Sequence, residues 1–372
     1  MPWTQSAVFV LQSFGHGVRV ARMRVLFIGG TGLISSACSP AVLAAGHELW
    51  LLNRGTSLIA TPAGAHQIRA DARDEAAVAK AVRGHDWDVV AQWVAFTPAH
   101  VSQDIRLFSG HTGQYVFISS ASAYQKPPAH WLVTEETPLV NPFWQYSRDK
   151  IAAEEVLQAQ SELPWTIVRP SLTYGPSQIP VAVGSWDKPF TIIERMRRGA
   201  PIIIPGDGTA LWTITHNTDF AKGFIGLLGR WEALGQAFHI TSDEALTWEQ
   251  IYKAVADAAG AKARVVHVPT DALVAADPDN LGTLWGDKVH STVFDNSKIR
   301  SLVPGFYAQV PFAQGVRETV AWFDADPSRQ AVDHAANALW DRLANVYTEA
   351  LARVSQASPA RGHASDEKGE LR

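Results

Sequence analysis

The chain has 372 residues, of which 47% are hydrophobic and 18% are charged, and its formal net charge is −4 at pH 7. This length can bury a large core and is expected to divide into two lobes, while the slight acidity argues against a nucleic-acid or anionic-lipid partner. One cysteine, Cys38, excludes an internal disulfide and favours a reducing, cytoplasmic compartment; no apolar run reaches bilayer length, and no His or Cys spacing predicts a metal site.

Residues 1–22 have no evident place in the predicted fold, because the first strand begins at Arg24. The apolar run at residues 7–11 is too short and poorly flanked to be a signal peptide. Two interpretations stay open for this extension. Either Met23 is the true start and the preceding residues are mis-assigned, or they form a disordered arm.

A glycine cluster follows the first predicted strand, residues 25–28, and leads into a segment of helical composition. Gly29 and Gly32 hold the first two positions of a Gly-x-x-Gly-x-x-Gly pattern, and Ser35 holds the third. Such glycines allow a tight turn and bring backbone N–H groups close to a pyrophosphate at a helix N-terminus. A bare glycine-rich turn is the alternative. The predicted dinucleotide contacts here are Gly29, Thr31, Gly32, Leu33 and Ile34.

The second predicted strand, residues 48–52, ends at Asn53 and Arg54 instead of an acidic residue. An acid at this point would bind the ribose hydroxyls, whereas a guanidinium can pair with a 2′-phosphate. Arg54 therefore favours NADP(H) over NAD(H), the alternative being a solvated loop charge. Asp71, expected at the end of the third strand, is predicted to accept a hydrogen bond from the adenine amino group.

Three more strands are predicted to begin near residues 88, 115 and 165, with a helix from about Tyr146 between the last two. This alternation is typical of a parallel sheet covered by helices on both faces, that is, of an α/β fold. In such a sheet, ligands bind beyond the carboxyl ends of the strands. Gly29, Ser120 and Arg169 are expected to emerge there.

Tyr146 and Lys150 are four residues apart, so one face of a helix would present both side chains. The ammonium favours the phenolate, and a hydroxyl at the end of the preceding strand, that of Ser120, could meet the phenol across a cleft. A tyrosine tuned in this way can take a proton from an alcohol as hydride leaves the carbon. The alternative is an exposed helix that happens to carry an aromatic residue and a lysine.

The chain is expected to leave the sheet after Gly175, so that residues 179–330 form mainly a substrate-binding lobe from which segments near 212–242 return. Trp144, Trp186 and Trp212 fall where an aromatic platform would help to bind a sugar ring. His216 is either a substrate contact or a buried structural histidine. Residues 331–354 are predicted to form a C-terminal helix and residues 355–372 a disordered tail.

Together these features resemble the extended or atypical short-chain dehydrogenases/reductases of the NAD-dependent epimerase/dehydratase family, from Met23 to about Phe323. The resemblance implies a Rossmann-type doubly wound parallel sheet over residues 23–178, a smaller C-terminal substrate-binding domain and a possible homodimer. Besides the glycine loop, Ser120, Tyr146 and Lys150, it depends on Val168-Arg169-Pro170, Tyr174-Gly175-Pro176, Pro205-Gly206-Asp207-Gly208 with His216 and Asp219, Phe294-Asp295-Asn296-Ser297-Lys298, and residues 315–320.

The same resemblance implies individual roles. Ser120 would hydrogen-bond the reacting oxygen with Ser122 as its helper, Tyr146 would be the acid/base, and Lys150 would hold the nicotinamide ribose while lowering the pKa of the tyrosine. Ala95 and Arg169 would be further cofactor contacts.

Three departures from the family pattern bear on the substrate. Trp212 stands where nucleotide-sugar enzymes place an arginine on the diphosphate, so a smaller sugar or cyclic polyol becomes credible. Gln125 replaces a usual glycine. Ser122 and Ala123 stand where a dehydratase needs an acidic pair, which disfavours that branch.

Three functions remain open. The leading one is an NAD(P)-dependent epimerase for a sugar or sugar-like alcohol, in which hydride is removed and then returned. The second is an NADP(H)-dependent dehydrogenase or reductase that exchanges its cofactor at each turnover. The third is a catalytically inactive dinucleotide- or RNA-binding member, against which the intact Ser120, Tyr146 and Lys150 and the acidic balance both count.

Overall fold

The structure is a computed structural model that describes residues 22–57 and 59–357. The expectations for the extension before residue 22 and for the tail after residue 357 lie outside the described residues. Within the described ranges, no helix combines the length and the apolar content needed to cross a membrane.

The strands of the described chain lie between residues 24 and 294, and most are short. They are β1 (Arg24–Ile28), β2 (Glu48–Asn53), β3 (His66–Arg69), β4 (Trp87–Gln92), β5 (Thr112–Ile118), β6 (Leu132–Val133), β7 (Trp165–Pro170), β8 (Leu172–Tyr174), β9 (Pro201–Pro205), β10 (Leu211–His216), β11 (Gln236–Ile240), β12 (Ala245–Thr247), β13 (Arg264–Val268) and β14 (Val293–Phe294).

Helices alternate with these strands in the first half and predominate in the second. They are α1 (Ser35–Ala44), α2 (Glu75–Val82), α3 (Pro98–Phe108), α4 (Gln145–Gln158), α5 (Phe190–Arg197), α6 (Asn217–Leu227), α7 (Trp248–Ala258), α8 (Thr270–Ala276), α9 (Ser297–Leu302), α10 (Phe312–Asp324) and α11 (His334–Ala357).

Seven parallel strands form the central sheet in the order β11-β7-β5-β4-β1-β2-β3. The chain winds outward from β1 in one direction and, after crossing back, from β4 in the other. This doubly wound order confirms the predicted Rossmann-type α/β fold. It also puts the switch in winding direction between β1 and β4, where ligands bind in such sheets.

Alternate side chains of the central strands feed two cores, one on each face of the sheet. Val25 and Phe27 of β1 pack with α1, α6 and α9, whereas Leu26 and Ile28 pack with α2, α3 and α4. The strands are hydrophobic on both faces because helices cover both, as expected of a parallel sheet.

A third core lies between the short strands and helices of the second half, and its largest fully buried members are Trp248 and Tyr252 of α7 and Tyr174 of β8. The chain returns to the central sheet between residues 217 and 240, where α6 packs on one face and β11 pairs in parallel with β7. Helix α11 runs from His334 to Ala357, so it extends three residues beyond the predicted end at 354. Residues 355–357 are compatible with a helix, and the first helix-breaking residue, Pro359, comes later.

Strand β4, predicted to begin near residue 88, ends at Gln92. The Gln92 side chain explains this end, because its oxygen accepts the N–H of Val94 (2.9 Å) and its amide donates to Asp104 (2.7 Å). Ala95 consequently lies in the loop after β4, and Asp71 likewise lies in the turn after β3.

Candidate active site

The glycine loop between β1 and α1 has the backbone shape that a dinucleotide requires. Gly29 and Gly30 have φ angles of 109° and 96°, and a Cβ on Gly30 would lie 2.5 Å from a methyl carbon of Leu51. The N-cap of α1, Ile34, provides no side-chain cap, although the N–H groups of Ser36 and Ala37 donate to the carbonyls of Gly32 and Ile34. The loop therefore fits the pyrophosphate of a nicotinamide dinucleotide.

Two hydrogen bonds from distant segments fix the loop in this shape. The Ser57 hydroxyl donates to the carbonyl of Thr31 (2.9 Å), and the Asn217 amide donates to the carbonyl of Leu33 (2.9 Å). The third position of the glycine pattern is also tied in, because the hydroxyl of Ser35 accepts the N–H of Gly32 (2.9 Å). A loop held before binding loses less entropy when it takes up the ligand.

The Asn53–Gly55 turn lies at the position expected for the adenosine ribose. The Asn53 amide donates to the carbonyl of Gly29 (3.4 Å), and its oxygen accepts the N–H of Gly55 (2.9 Å), so this side chain shapes the turn. Arg54 is exposed, and within the described residues its guanidinium has no hydrogen-bond or ion-pair partner. Its charge is therefore free to meet a ligand.

Two more arginines approach the same turn. The Nε of Arg69 is 3.5 Å from the point where a Cβ on Gly55 would stand. Burial lowers the pKa of Arg73, and the positive charge of Arg54 contributes in the same direction, so these two guanidinium groups are close enough to interact. Asp71 accepts the N–H of Arg73 (3.0 Å) and stays exposed. The side chains of Arg54, Arg69 and Arg73 therefore give this turn a positively charged environment.

The three predicted catalytic side chains meet at the carboxyl end of the central sheet. Tyr146 begins the first turn of α4, and the Nζ of Lys150, one turn later, is 5.8 Å from the centroid of its ring. Burial raises the pKa of Tyr146, a hydrogen bond with the Ser120 side chain lowers it, and the negative charge of Asp287 raises it further. The phenol is therefore protonated at neutral pH, and the Ser120 side chain lies near it.

Lys150 is 1% exposed and donates to two backbone carbonyls, those of Ala95 and Ile118, each at 2.7 Å. The loop after β4 and the end of β5 are thus joined at one ammonium. Burial lowers the pKa of Lys150 to about 7, although the nearby carboxylate of Glu154 acts in the opposite direction. A lysine with this pKa changes its charge readily when an anionic group arrives.

Ser122 is a hydrogen-bonding neighbour of Ser120. Its hydroxyl is 2.9 Å from that of Ser120 and accepts a hydrogen bond from Ser147 of α4 (2.8 Å), while the residue is only 5% exposed. The Asn141 amide donates to the carbonyl of Ser122 (2.8 Å). The structure therefore makes Ser122 a buried partner of Ser120, and a direct contact with substrate stays a prediction.

Asn141 and a π-helix at Leu281–Lys288 belong to the site but were not singled out in the sequence. The same Asn141 amide donates to the carbonyl of Gly286 (2.7 Å), which attaches the π-helix to the active-site loop. A Cβ on Gly282 would lie 2.3 Å from the Trp144 ring, so this glycine is needed for the contact. The signal that the sequence offered for this contact was the pair Gly282 and Gly286, four residues apart.

Two predicted contacts are turned away from the cleft. The guanidinium of Arg169 is buried and bonded to both carboxylate oxygens of Glu154 (3.0 and 2.6 Å), so the structure gives it a partner inside the protein. Trp212 is 2% exposed and stacks on Trp248, with ring centroids 5.6 Å apart. This burial argues against Trp212 as an aromatic platform for a ligand, and its ring centroid also lies 5.5 Å from the Nζ of Lys126.

His216 and Trp186 differ in their surroundings. His216 is the N-cap residue of α6, is 5% exposed and has its Nδ1 2.7 Å from the Thr218 hydroxyl, which agrees with the structural interpretation. Burial lowers its pKa, so the imidazole is neutral. Trp186 is 68% exposed and remains available to a ligand.

In the described part of the chain, no group of three or more His, Cys, Asp or Glu residues is arranged to hold a metal ion. Cys38 is buried, and burial raises the pKa of its thiol well above the ordinary value. Its thiol is therefore an inert packing group of the glycine-loop helix.

Known proteins similar to this chain include enzymes and one protein named for binding nucleic acid. It is 28% identical over 250 residues to the chloroplast stem-loop binding protein of 41 kDa b from Arabidopsis thaliana, covering 64% of this chain and 63% of that protein, just under two thirds of its length. It is 26% identical over 292 residues to 2′-dehydrokanamycin reductase from Streptomyces kanamyceticus, covering 76% of this chain and 80% of that protein.

Among solved structures, an epimerase from Methanothermobacter thermautotrophicus superposes with a TM-score of 0.70 at 18% identity, over 82% of this chain and 94% of the other. At this identity the match shows the fold alone. The model of the NAD dependent epimerase/dehydratase family matches residues 25–108 and 99–240, which is more than half of the chain. The glycine loop, β2 to β7 and the Tyr146–Lys150 pair all lie within that match, and the chain belongs to the NAD-dependent epimerase/dehydratase family of enzymes.

Proposed function

We propose that the protein transfers a hydride between NADP(H) and a secondary alcohol or ketone of a sugar-like substrate, and that it exchanges the cofactor at each turnover. The observation that carries this proposal is the assembly of Ser120, Tyr146 and Lys150 at the carboxyl end of the sheet, beside a glycine loop shaped for a pyrophosphate. The likeness to 2′-dehydrokanamycin reductase over 76% of the chain supports a reductase.

The glycine loop would hold the pyrophosphate, and Lys150 would bind the nicotinamide ribose. A bound nicotinamide supplies or accepts the hydride at the substrate carbon. Tyr146 donates its phenolic proton to the ketone oxygen in the reductive direction and takes it back in the oxidative one. Ser120, which lies near the phenol, would orient the reacting oxygen, while Ser122 and Ser147 hold the position of the Ser120 hydroxyl.

Two features support cofactor exchange over a self-contained epimerase cycle. Burial keeps the phenol of Tyr146 protonated in the free protein, which suits it to donate a proton to a ketone. Trp212 is fixed in the core, so this position does not grip the diphosphate of a nucleotide-sugar. The preference for NADP(H) is supported by the unpaired guanidinium of Arg54 and by Arg69 and Arg73 beside it.

The first experiment is to denature the purified protein and identify any released dinucleotide and its redox state by mass spectrometry. A protein that is released empty but binds added NADPH supports the exchanging oxidoreductase. Stoichiometric NAD(H) or NADP(H) retained through purification would instead support the epimerase. Binding of stem-loop RNA without binding of either dinucleotide would overturn both, and would favour the activity named in the chloroplast relative.

A further inference from the structure

A buried hydrogen-bond network joins β4, α3 and β5 next to the active site. Gln92, the last residue of β4, is 2% exposed, and its side-chain amide donates to the carboxylate of Asp104 on α3 (2.7 Å). The phenol of Tyr115 on β5 donates to the same carboxylate oxygen (2.7 Å). Both donors are neutral, and among the described residues no Lys, Arg or His comes within ion-pair distance of Asp104. Burying a carboxylate without a cation costs free energy that an apolar residue at this position would avoid.

The carboxylate fixes the orientation of the Gln92 amide. Burial raises the pKa of Asp104 to about 6, against the effect of the hydrogen bonds from Tyr115 and Gln92, so the group is ionised at neutral pH. An ionised carboxylate can only accept hydrogen bonds. The nitrogen of the amide must therefore face Asp104, which leaves the amide oxygen to accept the N–H of Val94 (2.9 Å). A side chain at position 104 with both a donor and an acceptor would allow the amide to turn over.

The loop held in this way carries a backbone carbonyl that binds Lys150. Ala95, one residue after Val94, accepts a hydrogen bond from the Nζ of Lys150 at 2.7 Å. The N–H of the next residue, Phe96, donates to the Nδ1 of His100 (3.1 Å). The Ala95 carbonyl thus lies between two N–H groups that are each fixed by a side chain.

The ammonium of Lys150 depends on few groups. Besides Ala95 it donates to the carbonyl of Ile118, and among the described residues no Asp or Glu lies within ion-pair distance of it. Ile118 ends β5, which is held between β4 and β7, whereas Ala95 lies in a loop. The Phe96 ring, whose centroid is 4.9 Å from the same Nζ, belongs to that loop as well. A displaced loop would therefore take two of its partners from a buried charge.

We propose that Gln92 and Asp104 are positioning residues for the nicotinamide half of the cofactor. Through the N–H of Val94 they fix the Ala95 carbonyl, and this carbonyl holds the ammonium of Lys150 at the place where it would bind the nicotinamide ribose. The proposal rests on the proposed function, to which it adds two residues. Both side chains are buried, so they act through the loop and not by touching the cofactor. A loop fixed before binding loses less entropy when the ligand arrives.

The test compares two buried glutamines on neighbouring strands. Gln92→Met keeps the length of the side chain and removes both of its hydrogen bonds. Gln114→Met is the matched control on β5, because Gln114 is also 2% exposed, donates to the Thr166 hydroxyl (2.9 Å) and accepts the N–H of Gly229 (2.8 Å). It lies near the amino end of its strand, away from the Ala95 loop. Urea unfolding should show a loss of stability in both variants.

Two ligands separate a positioning role from a general loss of structure. NADPH contains the nicotinamide ribose, and adenosine 2′,5′-bisphosphate lacks it. In Gln92→Met we expect the Kd for NADPH to rise about fivefold or more, while the Kd for adenosine 2′,5′-bisphosphate changes by less than about twofold. Hydrogen exchange at the Val94 amide should accelerate about tenfold or more. Gln114→Met should leave all three unchanged. Titration calorimetry measures the two Kd values, and NMR measures the exchange.

A double variant tests the direction of the hydrogen bond. Gln92→Glu places a second carboxylate against Asp104 and should weaken NADPH binding as Gln92→Met does. Adding Asp104→Asn supplies an amide that donates to the new carboxylate. The double variant should therefore recover an NADPH affinity within about twofold of wild type.

Equal NADPH affinity in Gln92→Met and wild type, or equal weakening of both ligands, would overturn the positioning role, and so would unchanged exchange at Val94. Should Gln92→Met fail to fold, Gln92→Glu with and without Asp104→Asn makes the same comparison. Wild-type protein that binds no NADPH would remove the proposed function itself. Wild-type protein that binds NADPH, with variants that bind it equally well, would remove the positioning role alone.

Discussion

The proposed cofactor side and the proposed substrate side of the cleft are built differently. The cofactor side consists of a short glycine loop and backbone carbonyls, with Lys150 joining Ala95 to Ile118. The substrate side depends on contacts between residues far apart in the chain, such as Lys126 with Thr292 and Asn141 with Gly286. The residues proposed for redox chemistry can therefore be recognised from local motifs, whereas those proposed for substrate selectivity are brought together only by long-range packing. Each prediction below tests one side of this contrast.

The largest effect is expected at a position that the family pattern gives to ligand binding and that here belongs to the core. Trp212→Ala removes a buried ring stacked on Trp248 and should lower the free energy of unfolding by about 3–5 kcal/mol. Trp186→Ala, at a 68% exposed position, is the matched control and should change it by less than about 0.5 kcal/mol. Urea unfolding measures both, and similar losses would show that Trp212 is not a core residue.

The second prediction concerns the acid/base group. Tyr146→Phe keeps the ring but removes the proton donor, so turnover should fall by at least about a hundredfold while NADPH affinity stays within about twofold. Tyr307→Phe, at a 54% exposed tyrosine, should leave both unchanged. Steady-state kinetics with a reducible sugar-like ketone and a fluorescence titration with NADPH provide the two measurements. Wild-type turnover in Tyr146→Phe would remove this residue from the mechanism.

How far the sequence could predict the fold and the site follows the same division. The periodic apolar strands and the glycine turn predicted the doubly wound sheet, because their signals are confined to short windows. Strand ends were less predictable: β4 stops where the Gln92 side chain captures the N–H of Val94, a contact that no pattern reports.

On the substrate side, the sequence identified Trp212 as a departure but could not show that Trp248 covers it. Trp248 is 36 positions further along the chain, and only the packing of β10 against α7 brings the rings together. Lys126 and His290 gave no signal for the same reason, since each is ordinary in its own window. Lys126 is unusual because its ammonium is buried with only the Thr292 hydroxyl as a partner, and His290 because its Nε2 is buried without one among the described residues.

The third prediction concerns cofactor choice. Arg54→Ala removes a guanidinium from the turn at Gly55, so the Kd for NADPH should rise about tenfold or more while the Kd for NADH changes by less than about threefold. Arg83→Ala, an exposed arginine at the end of α2, should change neither. Fluorescence titrations with both cofactors make the comparison. Equal weakening of the two would show that Arg54 does not contact the 2′-phosphate.

The smallest effect is a proton taken up when cofactor binds. The pKa of Lys150 is about 7 in the free protein, so above that pH most of these side chains are neutral. NADPH is an anion, and its arrival favours the ammonium and raises this pKa. Binding at about pH 8 should therefore take up a fraction of a proton, and NADPH affinity should fall as the pH rises from about 7 to 9.

Titration calorimetry at about pH 8, in buffers of different ionisation heat, measures the uptake, and at this pH the 2′-phosphate is already ionised and does not contribute. Lys150→Met should abolish the uptake, because it removes the titrating group, and Lys80→Met, at an exposed lysine of α2, should preserve it. Uptake that persists in Lys150→Met would assign the proton to another residue. No uptake in the wild type would mean that Lys150 keeps its charge state through binding and acts only through its hydrogen bonds to Ala95 and Ile118.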